Sequence, residues 1–362
     1  MKIVIVDPEA YKPYSLENLS GGGLGGTEAT VVRLAEAMDA LVLQHNRSID
    51  AGRYRRMLPV EKPSHIIVVR DTLQAIQQAE MHPQAGIFLW LHDLAGPDTP
   101  RGKILGECAS KLKRLGITLV CVSDFQAADI SKNFFGMSPT LRPVITRIYN
   151  PVVVGGESAS GAEYDRNKLV FFSSRQKGLD YTLQVFSYLH ARNRSLRLFL
   201  ADPGYYAGQE YDIPGVVQLG SLPHARIIEH VRSSLCTFYP NYTFPETFGL
   251  VMAESNAVGT PVLTHPIGAA NEVLRGDGQI IAVPRIRILA DLALQRFSRL
   301  RRISNSILGR IGAMRCYEDR INLWRSGERP LVFSRADFSL NAIVAEWRHL
   351  MSSDSSSARH NP

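Results

Sequence analysis

Short apolar runs alternate along the chain with stretches in which apolar residues recur at helical spacing. Such runs are typical of strands buried on both faces, and their alternation with helices is typical of a parallel sheet covered by helices. The predicted fold class is therefore α/β. The predicted strands span residues 3–6, 40–43, 65–69, 86–91, 118–122, 145–149, 169–173, 196–201, 216–219, 235–239, 261–264 and 279–283.

A small, polar segment without periodicity at 153–167 separates the two sets of strands and is predicted to be a linker. It divides two doubly wound Rossmann-like domains, 1–152 and 168–335. If the two sheets face each other, their carboxyl ends border a cleft, where ligands bind in such folds. Residues 336–351 are predicted to form a closing helix with one apolar face. An option for this helix is that it crosses back to the first domain. Residues 352–362 are predicted to be a disordered tail.

The segment from Phe238 to Val262 carries the most informative pattern. A strand runs into a Pro-rich loop, and a helix is predicted to start near Phe248. A helix start at the carboxyl end of a strand offers backbone amides and a positive dipole end to a diphosphate. Glu246 precedes this start, and Glu254 lies about two turns inside the helix. Carboxylates at these positions are suited to accept hydrogen bonds from sugar hydroxyls. The pattern predicts a nucleotide joined to a sugar as ligand.

This block resembles the GT-B glycosyltransferases, in particular the retaining family 4 (glycosyl transferases group 1). The signature of that family pairs two glutamates with seven residues between them, as Glu246 and Glu254 do. The resemblance covers about residues 1–350. Further matches are the Gly21–Glu28 loop, His92 after a strand, the Cys121–Asp124 strand end, Asn150-Pro151, Lys177-Gly178, the Gly268–Glu272 loop and the closing helix with Trp347.

The resemblance implies transfer of a sugar from a nucleotide-sugar donor to a hydroxyl acceptor, with retention of anomeric configuration. It implies His92, Glu246 and Lys177 as catalytic residues. The usual family arginine is replaced by Phe172, so Arg175 is the candidate for that charge. The donor-binding candidates are Gly25, Gly26, Arg175, Lys177, Glu246, Phe248, Gly249, Leu250 and Glu254.

No cofactor is expected, because the nucleotide sugar is a substrate. No metal is expected either, since Lys177, Arg175 and the backbone amides near Phe248 can stabilise the departing diphosphate. No carboxylate is identifiable as a nucleophile. Retention by front-face transfer, in which the leaving phosphate takes the acceptor proton, is what the family implies.

Several simpler interpretations stay open. Lys177 could be a solvated lysine at a helix start, and the loop 21–26 a surface loop. His92 could be a buried histidine whose hydrogen bonds are satisfied within the protein, and Glu246 could be a charge that stabilises a helix dipole. Two other functions also stay open: a nucleotide-sugar epimerase of the same fold, which would convert donor without acceptor, and a non-catalytic nucleotide- or polyanion-binding protein.

The net charge is concentrated in one segment. The chain of 362 residues is 45% apolar, enough for two cores, and carries a formal charge of +7. Residues 285–315 contain eight arginines and one aspartate, which equals the whole excess. This arginine cluster is either a solvated helix face or a contact for an anionic membrane, and no nucleic acid partner is expected. The acceptor is a glycan, a lipid-linked compound or a small molecule.

The remaining composition indicates a cytoplasmic protein, with peripheral contact at the inner membrane face as an alternative. The four cysteines have no Cys-x-x-Cys spacing and are interpreted as reduced packing residues. The first apolar run is followed by Asp7-Pro8-Glu9, which favours a buried strand over a signal peptide. No apolar stretch is long enough to span a bilayer.

Overall fold

The computed structural model describes residues 2–21, 24–155, 163–202, 211–281 and 314–357. It contains two parallel sheets, one of seven strands and one of five, which confirms the predicted doubly wound α/β class. The chain divides into two compact units. The first unit comprises Met1–Val153, Glu246–Leu250 and Arg335–Pro362, and the second unit comprises Val154–Pro245 and Val251–Ser334.

The sheet of the first unit has the order β3-β2-β1-β4-β5-β6-β7. Its central strands are buried along their whole length, as expected for strands covered on both faces. β3 was not predicted, because only one of its three residues is buried and it forms no apolar run. The strands are Ile3–Asp7 (β1), Leu41–Gln44 (β2), Tyr54–Arg56 (β3), His65–Val69 (β4), Gly86–Leu91 (β5), Thr118–Cys121 (β6) and Val144–Arg147 (β7).

Helices follow the strands of this sheet, and three of them begin at a capping side chain. Asp71, Thr99 and Ser123 each accept a hydrogen bond from a backbone amide in the first turn of their helix. The helices are Asn18–Gly21 (α1), Gly26–Met38 (α2), Thr72–Met81 (α3), Pro100–Arg114 (α4) and Asp124–Ser131 (α5).

The second unit is built around a sheet of order β10-β9-β8-β11-β12. Where a strand was predicted at 279–283, the described residues form only a bridge between Thr264 and Ile280. The strands are Asp165–Phe171 (β8), Arg197–Asp202 (β9), Val216–Ser221 (β10), Ser234–Phe238 (β11) and Val262–Leu263 (β12). The helices are Leu179–Arg192 (α6), His224–Arg232 (α7), Leu250–Ala257 (α8), Ala270–Val273 (α9) and 314–325 (α10).

The last helix, Leu340–Ser357 (α11), is part of the first unit. Trp347 is fully buried and meets the rings of Phe88 and Trp90 edge-on, with centroids 5.9 and 5.4 Å apart. His65 Nε2 lies 3.1 Å from the carbonyl oxygen of Met351. The apolar face of α11 therefore covers the strands β4 and β5.

Helices α8 and α11 have boundaries that differ from the predictions. Helix α8 begins at Leu250 rather than near Phe248, because Gly249 has a φ of +89°, a left-handed conformation that an α-helix excludes. Helix α11 continues through residues 352–357, which were predicted to be a disordered tail. The hydroxyls of Ser352 and Ser353 donate to carbonyls of the preceding turn, which supports this extension.

The predicted linker and the arginine cluster fall partly outside the described residues. Strand β8 begins at Asp165, inside the segment 153–167 that was predicted to be a linker. In the cluster 285–315, only residues 314 and 315 lie within the part of the chain that the structure describes.

Candidate functional site

His92 follows directly after strand β5, at the carboxyl edge of the first sheet. It is buried, and its ring centroid lies 4.4 Å from that of Trp90. Burial and the positive charge of Arg70 hold the pKa of His92 well below its usual range, so the imidazole is neutral near pH 7. Its Nε2 has no hydrogen-bond partner among the described residues. A neutral imidazole carries one donor and one acceptor, and here one of its nitrogens is unused.

The segment Glu246–Leu250 belongs to the first unit, although the residues on either side of it belong to the second. Thr247 Oγ1 donates a hydrogen bond to the His92 carbonyl oxygen (2.6 Å). Ser123 Oγ donates to the Thr247 carbonyl oxygen. We call these two hydrogen bonds the Thr247 bridge. The bridge brings the buried Glu246 into the neighbourhood of His92.

The side chain of Phe248 anchors the same segment. It is buried against Tyr149 and Phe338, with ring centroids 5.9 and 5.0 Å away, and those two rings also contact each other. Because its ring is enclosed, Phe248 can offer a ligand only its backbone. A Cβ on Gly26 would lie 3.0 Å from Leu250 Cδ1, so the start of helix α2 contacts this segment as well.

Helix α2 starts within the glycine-rich segment Gly21–Glu28. The helix begins at Gly26, and no side chain among the described residues caps it at Gly25. Gly25 and Gly26 therefore lie where the loop meets the first turn. In the first unit, the structure brings together six predicted site residues: Gly26, His92, Glu246, Phe248, Gly249 and Leu250.

The second unit holds Arg175, Lys177 and Glu254. Arg175 and Lys177 lie on a short 3₁₀ turn after strand β8. The Lys177 ammonium lies 5.5 Å from the centre of the Phe244 ring, a cation–π contact. Arg175 lies 3.4 Å from the Asp180 carboxylate. The two cations thus occupy the carboxyl edge of the second sheet, where doubly wound folds bind ligands.

Glu254 is buried within helix α8, and a histidine contacts it. His224 Nε2 lies 2.9 Å from Glu254 Oε1. His224 is the first residue of helix α7, after strand β10. The sequence analysis did not identify this residue, although a position that follows the carboxyl end of a strand indicates a candidate site residue. The contact places a polar ring nitrogen beside one oxygen of the carboxylate.

A group of charged side chains lies near His92 in the first unit. Arg70 has a φ of +66°, a strained conformation for a residue other than glycine. Its guanidinium lies 3.5 Å from Glu28 and 3.4 Å from Asp93. Arg101 pairs with Glu9 and lies 3.6 Å from Asp93. The charges in this group largely offset one another.

Within the described ranges, no three His, Cys, Asp or Glu side chains are grouped in a way that could hold a metal ion. No described helix combines the length and apolar content needed to cross a bilayer. The cysteines are free thiols, and Cys121 and Cys236 are buried; burial raises the pKa of each to about 12. Such thiols are unreactive packing residues at neutral pH.

Part of the second half of the chain matches a family model. Residues 157–294 match the family model described as Glycosyl transferases group 1. Over 208 residues the chain is 30% identical to the D-inositol 3-phosphate glycosyltransferase of Thermobifida fusca (strain YX). This match covers 50% of the chain and 47% of the relative, so the chain matches about half the length of this curated relative.

Two solved structures share the fold along almost the whole chain. Anabaena HepE, solved with UDP and glucose, is 14% identical, with a TM-score of 0.56 over 98% of this chain and 100% of that protein. The sucrose-phosphate synthase of Thermosynechococcus elongatus is 14% identical, with a TM-score of 0.57 over 98% and 99%. At these identities the likeness concerns the fold alone, and it confirms the fold class expected from the resemblance.

Proposed function

We propose that this chain, which has the fold of GT-B glycosyltransferases and a glycosyl transferases group 1 segment at residues 157–294, transfers a sugar from a nucleotide-sugar donor to a hydroxyl acceptor. The configuration of the sugar is retained, and no metal takes part. One observation carries the proposal: both motif glutamates are buried. Glu254 contacts His224, and Glu246 adjoins Thr247, whose side chain bonds to the His92 carbonyl.

The second unit binds the nucleotide in this proposal. Lys177 and Arg175 offer positive charge to the diphosphate oxygens. The Glu254 carboxylate accepts hydrogen bonds from the ribose hydroxyls, as acids do in other doubly wound sites. Since Anabaena HepE was solved with UDP and glucose, UDP-glucose is the first donor to test.

The first unit handles the sugar and the acceptor. Glu246 accepts hydrogen bonds from the sugar hydroxyls, and the neutral His92 ring bonds to a sugar or acceptor hydroxyl without adding charge. As the bond from the anomeric carbon to the diphosphate breaks, the positive charge of Lys177 stabilises the departing oxygens. The acceptor oxygen attacks from the same face, and its proton passes to the leaving phosphate.

The acceptor is a hydroxyl compound: a glycan, a lipid-linked compound or a small molecule. The name of the Thermobifida fusca relative makes an inositol phosphate the first small acceptor to test. We place the reaction in the cytoplasm, with the arginine cluster 285–315 as the site of any peripheral contact with an anionic membrane.

A donor screen tests the proposal. UDP-, GDP-, dTDP- and ADP-glucose are incubated with the chain, with and without inositol 3-phosphate, and the released nucleoside diphosphate is measured. Glu254→Gln removes a charged acceptor of hydrogen bonds, worth about 1.5–3 kcal/mol, so UDP binding should weaken about 10- to 150-fold. Lys177→Ala should lower turnover, whereas Arg194→Ala, which removes an exposed cation from the same unit, should not.

The outcomes separate the alternatives. Turnover that Glu254→Gln and Lys177→Ala leave unchanged would contradict the donor site. Conversion of the donor sugar without release of nucleotide would indicate an epimerase, and binding without any conversion would indicate a non-catalytic protein. Complete loss of turnover in chelator would contradict the metal-independent mechanism.

A further inference from the structure

The backbone of the loop that carries His92 is fixed by side chains from three other segments. The carbonyl oxygens of residues 92, 93 and 95 each accept a hydrogen bond from a side chain. The donors are Thr247 Oγ1 (2.6 Å), Gln126 Nε2 (2.7 Å) and Asn133 Nδ2 (2.6 Å). Since Nε2 of His92 has no partner in the described part of the chain, the orientation of its ring depends on this backbone and on Trp90.

Thr247 differs from the other two donors because its own backbone is also held. Ser123 Oγ donates to the Thr247 carbonyl oxygen and accepts the amide of Gln126, the N-cap bond of helix α5. The hydroxyl of Ser123 has one proton and two acceptor sites, so both bonds are compatible. Through these bonds Thr247 is linked to two strand ends of the first sheet, those of β5 and β6.

Glu246 is the covalent neighbour of Thr247. Any shift of Thr247 relative to the His92 carbonyl therefore changes the spacing between Glu246 and His92. Two hydrogen bonds on one residue, one from its side chain and one to its carbonyl, leave it little freedom to shift. The buried Phe248 ring restrains the other side of Thr247.

We propose that Thr247 is a positioning residue, which fixes the position of Glu246 relative to His92 through the Thr247 bridge. The inference deepens the proposed function and rests on it. Thr247 itself touches neither donor nor acceptor; it acts through the His92 backbone and through Glu246. A misplacement of about 1 Å at reacting groups can lower a rate about 100-fold, so a residue of this kind affects turnover more than binding.

Thr247→Val tests the inference, because valine keeps the shape of threonine but cannot donate the hydrogen bond. Turnover of the UDP-sugar should fall about 10-fold at saturation, with KM changed less than about 2-fold. Thr247→Ser restores the hydroxyl and should stay within about 2-fold of the parent. Thr243→Val makes the same chemical change at an exposed position of the preceding loop and serves as the control.

Hydrogen exchange gives a second readout that needs no turnover. Amides in peptides covering 91–96 should exchange faster in Thr247→Val than in Thr247→Ser or Thr243→Val, because a bond to the loop is lost. Equal exchange in all three variants, or faster exchange with an unchanged maximal rate, would overturn the inference. If the parent turns over no nucleotide sugar while exchange still separates the variants, the proposed function fails and the Thr247 bridge stands as a structural contact only.

Discussion

Two glycines about one turn apart in helix α4 provide a matched test of the packing beneath the His92 loop. A Cβ on Gly102 would lie 1.9 Å from the carbonyl oxygen of Gly96, whereas a Cβ on Gly106 would meet the carbonyl oxygen of Asn133 at 3.6 Å, an ordinary contact. The Gly96 oxygen cannot move aside freely, because Thr99 donates to it through both its amide (2.9 Å) and its hydroxyl (2.8 Å). Gly102 is therefore required by the close approach of two backbones.

The two substitutions are expected to change the free energy of unfolding in opposite directions. Alanine in place of glycine inside a helix gains up to about 1 kcal/mol from helix propensity, and Gly106→Ala should keep most of this gain. At Gly102 the clash adds a cost at or above the upper end of the usual overpacking range of about 1–3 kcal/mol. We expect Gly102→Ala to be destabilised by about 2 kcal/mol net, so the two variants should differ by about 3 kcal/mol.

Scanning calorimetry measures the difference. For a unit of this size, 1 kcal/mol shifts the melting temperature by about 2–4 °C, so the variants should melt about 6–12 °C apart. Gly102→Ala should melt below the parent and Gly106→Ala at or slightly above it. Equal melting temperatures for the two variants would refute the reasoning, because helix propensity changes equally in both.

Three further predictions concern single side chains. His224→Ala should weaken UDP binding about 2- to 10-fold in calorimetry, because Glu254 loses a polar contact 2.9 Å away. Arg226→Ala, on the exposed side of helix α7, should bind UDP as the parent does, and equal affinities for the two variants would contradict the role of His224. The pKa of His92 is lowered in the folded state, so below the unfolded pKa of about 6.5 only the unfolded chain takes up this proton, and stability decreases as the pH is lowered. Between pH 6.5 and 5.5 the parent should lose up to about 1 kcal/mol more than His92→Gln in urea titrations, and parallel losses would show that His92 does not contribute. Trp347→Ala should destabilise the first unit by about 3–5 kcal/mol, against less than about 0.5 kcal/mol for the exposed Arg348→Ala, and a similar denaturation midpoint for both would mean that the aromatic contacts contribute little.

The central strands were predictable because burial on both faces leaves an uninterrupted apolar run. The predicted bounds of β4 and β5 coincide with those of the structure, and the apolar face predicted for the closing helix is the buried face of α11. Strand β3 has no such signal, since it lies at the edge of the sheet and exposes two of its three residues. Local pattern thus identifies elements whose burial is complete.

The site was predictable only as far as its residues share one stretch of chain. Glu246 and Glu254 are recognisable by their spacing, and both prove to be buried. The hydrogen bond from Thr247 joins residues 155 positions apart, and the contact of His224 with Glu254 also depends on the fold. A threonine or a histidine in a loop carries no local signal for such a partner, so sequence reasoning passed over both.

The place of helix α11 in the first unit sets the order in which that unit can be completed during synthesis. Phe88 and Trp90 leave the ribosome early, but their partner Trp347 is made 194 residues after Val153, the end of the first long stretch of the unit. At about 5–20 residues per second, translation takes about 10–40 s to cover that distance. During this interval the apolar face of strands β4 and β5 that α11 will cover is exposed on the nascent chain, which makes it a binding surface for chaperones.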